Sequence, residues 1–103
     1  MIFGAMNFPV VPVVEEIRSF AGLGFDYLEL AMDPPEAHYS IVSENRLAIA
    51  GALADHGMGI VCHLPTFIST ADLTESIRRA SIAEMKQSLS VAADLGAQKV
   101  VLH

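Results

Sequence analysis

The sequence is poor in cysteine, in positive charge and in long uninterrupted apolar runs, and each shortage removes a class of protein. Cys62 is the single cysteine. It has no partner for an internal disulfide, so a disulfide-stapled secreted scaffold is excluded. No basic-then-apolar leader precedes the first apolar segment, and a reducing cytoplasm is the expected setting. Lysine and arginine number 6 against 12 aspartates and glutamates, a formal net charge of −6. Phosphate binding rests on clustered cations, and only Arg78 and Arg79 adjoin, so nucleic acid is not an expected partner. The apolar fraction is 52%, yet no run approaches the ~20 residues that cross a bilayer. Linkers, low-complexity segments and a Gly-rich phosphate loop are missing as well. The 103 residues read as one domain, well short of the roughly 250 of a closed eight-fold barrel.

What is present is a series of short apolar runs separated by amphipathic ones, and buried parallel strands account for the apolar excess. The first run, Ile2 to Phe8, is stopped by Pro9 and Pro12, since proline lacks the N–H a sheet interior needs. Val13 to Ala21 reads as a helix with Glu15 and Glu16 in its first turn, Val13, Ile17 and Phe20 on one face, and Gly22 and Gly24 at its end. Phe25 to Met32 is the second strand. The stretch from Pro34 to Val42, with His38 and Tyr39, reads as a long loop at the end where sites are covered. Ser43 is placed to cap a helix over Glu44 to His56, with Leu47, Ile49, Ala50, Leu53 and Ala54 as its apolar stripe and Gly57 as its stop.

Gly59 to His63 is the third strand, closed by Pro65. Asp72 and Glu75 have the spacing of a capping box, opening a helix that runs to Asp94 or Leu95. Its buried stripe is expected to be Ile77, Ser81, Met85, Leu89 and Ala92, joined by Ile82, Val91 and Leu95. Gly96 ends it, and Lys99 to Leu102 is the fourth strand. The order βαβαβαβ, four strands and three helices, predicts an α/β fold with a parallel sheet. Right-handed connections then put every strand's C-terminal end on one rim. An open four-stranded sheet and the N-terminal half of a (β/α)8 barrel both fit. The absent phosphate loop and the final uncovered strand favour the half barrel.

Four polar residues fall at or near those strand ends: Asn7, Glu29, His63 and His103. Glu29 is a carboxylate in an otherwise apolar strand, costly to bury unless paired, metal-bound or lifted to the rim. A functional role and a structural pairing with a neighbouring strand both remain open for it. His63 and His103 close apolar runs, where imidazole is either a hydrogen-bonded strand end or a metal ligand. Two histidines fall short of the three protein ligands a catalytic zinc usually takes. Cys62 alternates with His63 and is expected to point away from it into apolar packing, without a catalytic role.

The stretches Gly24 to Leu30, His63-Leu64-Pro65 and Ala92 to His103 resemble the N-terminal half of xylose-isomerase-like TIM barrels. That superfamily contains sugar-phosphate isomerases and epimerases and apurinic-site nucleases of the endonuclease IV type. The resemblance implies a divalent metal, Zn or Mn, at the C-terminal rim. On the nuclease branch it carries zinc ligation onto His63 and His103. On the isomerase branch it implies that His63 and Glu29 line the sugar pocket; Glu29 is the candidate catalytic carboxylate, and Asn7, at the end of the first strand, is a further candidate for binding the sugar. Charge favours the isomerase or epimerase, acting on a sugar or sugar phosphate. A non-catalytic half barrel that self-associates through its strand edges, or joins a C-terminal half, is the reading from another class.

Overall fold

Four parallel strands lie in the order β1-β2-β3-β4, with every neighbour joined to the next in sequence. The computed structural model describes residues 1–102. The strands are β1 (Gly4–Met6), β2 (Tyr27–Ala31), β3 (Gly59–His63) and β4 (Val100–Val101); the helices are α1 (Val13–Gly22), α2 (Tyr39–Glu44), α3 (Arg46–Asp55) and α4 (Glu75–Asp94). Register sets Leu28 beside Ile60 and Leu30 beside Cys62. Those four side chains are buried and pack with Ile17 of α1, Ile49 and Leu53 of α3 and Val91 of α4. The opposite face carries Met6, Tyr27, Glu29, Val61 and His63, and among the described residues no helix covers it. This one-sided burial is what strand alternation requires of a sheet with all its crossovers on one side.

The expected helix over Glu44 to His56 is two helices, because the chain turns helical earlier and breaks at Asn45. His38 caps α2: its ring nitrogen accepts from the Ser40 N–H. The long loop from Pro34 to Val42 is therefore shortened by a turn of helix, and Ser43 lies inside α2 rather than capping anything. The Ile41 carbonyl accepts from the Asn45 backbone N–H at 3.1 Å and again from Asn45 Nδ2 at 3.0 Å, and Asn45 closes α2 and opens α3. On α3 the buried residues are Ile49, Ala52 and Leu53, while Leu47, Ala50 and Ala54 are exposed. A helix apolar all round gives no periodic cue to its buried face.

The capping box at Asp72 is corrected as well. Asp72 accepts from the Thr74 N–H at 2.8 Å in a local turn, and α4 starts at Glu75. Its buried residues are Ser81, Ser88, Val91 and Ala92, with Ile77 and Leu89 exposed. No residue of α4 before Ser81 is buried. Gly4 has its own reason to be glycine, since a Cβ there would collide with the Tyr27 ring lying across it.

Candidate functional site at the C-terminal rim

Asn7 follows β1 directly, and its side chain is tied to β2. The Asn7 backbone N–H donates to the Glu29 carbonyl at 3.3 Å, and its Oδ1 accepts from the Ala31 N–H at 2.6 Å. The residue is 4% exposed, yet its amide nitrogen Nδ2 has no hydrogen-bond partner. A buried donor left unpaired is costly, and it points to a partner supplied from outside the chain's own contacts.

His63 ends β3 and stands opposite Ala31 on β2 and Val101 on β4. Glu29 stands opposite Met6 and Val61. Glu29 and His63 therefore share the uncovered face on adjacent strands, with the histidine one layer nearer the rim. Glu29 occupies the middle of β2, two residues before its end. It is half-buried and lines an open depression of about 550 Å³ that lies towards the N-terminal ends of the strands, with Asp26, Tyr27, Gly59, Val61 and Lys99 and without His63. His103 lies outside the described residues. Among the described residues no three metal-binding side chains are grouped.

The donor chemistry of Glu29 and His63, carboxylate and imidazole, suits Zn²⁺ or Mn²⁺. The unpaired Asn7 nitrogen is a hydrogen-bond donor without a lone pair for a metal, so it fits a substrate oxygen. Cys62 faces the helices, as alternation predicts. Burial pushes its thiol up to about 12, which keeps it protonated and a poor nucleophile.

The structure also assembles a polar group that the sequence reading leaves without a role. Asp33, buried just past β2, accepts from the Thr66 N–H and from the Thr66 hydroxyl, both at 2.9 Å. It thereby fastens the loop after β2 to the loop after β3. Nearby, His38 Nε2 meets Glu84 Oε2 at 2.8 Å, while His38 Nδ1 meets the Ser40 hydroxyl at 2.8 Å. A carboxylate after a strand and before Pro34 is a signal for Asp33. No local signal pairs His38 with a residue 46 positions away.

A family model described as xylose isomerase-like TIM barrel matches residues 17–103. The chain belongs to this family. The crystal structure of a D-tagatose 3-epimerase-like protein superposes on this xylose isomerase-like chain with a TM-score of 0.84 at 21% identity. It covers all of this chain, which spans 38% of that one. At that identity the likeness establishes the fold: a parallel four-stranded α/β sheet matching part of a barrel. Comparison with curated protein sequences gives no significant match. Among the described residues no helix is long and apolar enough to cross a membrane.

Proposed function

We propose that this chain provides the N-terminal part of a sugar or sugar-phosphate isomerase or epimerase site at the C-terminal rim. The carrying observation is the placement of Glu29 and His63 on one uncovered sheet face, on adjacent strands. The xylose isomerase-like family and the epimerase-like structural relative supply the reaction class. Asn7 Nδ2 donates to a sugar oxygen, His63 binds a hydroxyl or the metal, and a Glu29 carboxylate oxygen moves the proton at the carbon beside the carbonyl. A divalent ion, Zn²⁺ or Mn²⁺, held by His63 with His103 or Glu29, would polarise that carbonyl. Further ligands and the cover for the open face come from four more βα units, in the same polypeptide or in a second copy. A reducing cytoplasm suits the single, unpaired cysteine.

Calorimetric titration with Mn²⁺ and Zn²⁺, and NMR titration with D-tagatose, test this reading. Metal is expected to bind and to be lost in His63→Ala, with the sugar shifting the Asn7 side-chain amide. The proposal is overturned if neither ion binds and the sugar moves no resonance of Asn7, Glu29 or His63. Efficient cleavage of an abasic-site duplex at low salt would replace it with the nuclease.

A further inference from the structure

A second concavity lies on the rim, between the loop after β2 and the loop after β3, and encloses about 270 Å³. Its walls are Pro34, Pro65, Phe67 and Ile68, and its polar groups are Asp33, His38 and Glu84. We propose that this pocket is a subsite for the ring of a neutral, unphosphorylated sugar. The proposal deepens the reading above, on which the rim binds a sugar, by naming where and in what form a more distant part of it rests.

Three observations carry it. The Phe67 side chain is 91% exposed at the mouth of the pocket, a flat apolar face with nothing packed on it. A pyranose or furanose ring has an apolar C–H face of matching size and a hydroxyl edge, the combination that an aromatic wall with a few polar groups accepts.

The polar groups are also tied to one another by hydrogen bonds. His38 Nδ1 accepts from the Ser40 N–H at 3.3 Å as the cap of α2, so in the neutral ring the proton sits on Nε2 and is donated to Glu84 Oε2. Glu84 is held by this bond while its side chain stays 38% exposed, leaving carboxylate surface to accept from a sugar hydroxyl.

The third observation is charge. The lining holds the carboxylates of Asp33 and Glu84 and no lysine or arginine. A phosphate would meet like charge there, so the ligand end that enters carries no phosphate. Asp33 has both oxygens engaged by Thr66, which leaves Glu84 as the acceptor for the sugar and Asp33 as the brace that keeps the two loops at their spacing.

NMR of the full chain, with the His38, His63 and Phe67 side-chain resonances assigned, tests this with D-tagatose and inorganic phosphate as separate probes. D-tagatose is expected to shift Phe67 and His38, and phosphate to shift neither. Phe67→Ala, at an exposed position with no packing to lose, and Glu84→Gln are each expected to weaken the sugar-induced shifts at least several-fold, about tenfold for the loss of a charged acceptor. Sugar shifts at His63 without any at Phe67 or His38 overturn the subsite and leave the proposed function standing. Shifts at Phe67 and His38 without any at Asn7, Glu29 or His63 support the subsite and count against the proposed function. Phosphate-induced shifts at His38 overturn the neutral-ligand assignment, and unaltered sugar affinity in both variants overturns the subsite.

Discussion

Cys62 is fully buried between sheet and helices, next in sequence to a histidine on the other face. Burial disfavours the thiolate, so the folded thiol titrates near 12, against about 8.5 in an unfolded chain. Below pH 8.5 both states hold the proton and the shift has no effect on stability. Above it the unfolded chain loses its proton while the folded one keeps it, and stability falls as pH rises towards 12. Urea unfolding of the wild type and of Cys62→Ala, at pH 7 and pH 10, is expected to show the wild type's advantage shrinking by about 2 kcal/mol. An equal advantage at both pH values would contradict the burial argument. Strand alternation alone separates Cys62 from His63, and it also sets Glu29 and His63 on one face. The height of Glu29 is different: residue spacing does not show where β2 ends, so its place in the middle of the strand comes from the register alone.

At the scale of elements, long-range side-chain bonds decide what local signals leave open. The loops after β2 and β3 are joined by Asp33 and Thr66, 33 residues apart. Asp33→Ala removes two hydrogen bonds to a buried carboxylate and is expected to cost about 2 kcal/mol in urea unfolding. Thr66→Val removes only the hydroxyl bond and should cost less, with the two losses less than additive in the double variant. Strict additivity would show that the two side chains do not act together. The strands were legible because apolar runs bounded by glycine and proline have few other fates. α2 was not, because a histidine cap is outside the usual Ser, Thr, Asp and Asn set. The break falls at Asn45, which closes α2 and opens α3 with no glycine or proline to mark it. The buried faces of α3 and α4 depend on close approach through Ala52, Ser81, Ser88 and Ala92, which a count of large apolar residues overlooks.

At the scale of the whole molecule, one sheet face is packed and the other is open. Large apolar side chains remain exposed along both edges, among them Ile2, Phe3 and Met6 at β1 and Val100, Val101 and Leu102 at β4. Two edges of the same parallel sheet, each with unpaired backbone groups, favour pairing with further strands. Sedimentation is expected to show mass increasing with protein concentration, with the unfolding midpoint rising in parallel. Val101→Lys, a charge on the β4 edge, is expected to reduce both. A monomer at all concentrations, with a fixed midpoint, would remove edge pairing as a source of cover for the open face.

The sequence by itself determined the four parallel strands in order, the single shared rim, the face on which each strand residue lies and the family resemblance. Period and punctuation are local properties, and a chain of βα crossovers has one favoured hand. Only the tertiary structure decided the depth of Glu29, the unpaired Asn7 amide, and the joining of His38 to Glu84 and of Asp33 to Thr66. Those follow from register and from the approach of segments tens of residues apart, and no local pattern encodes such distances.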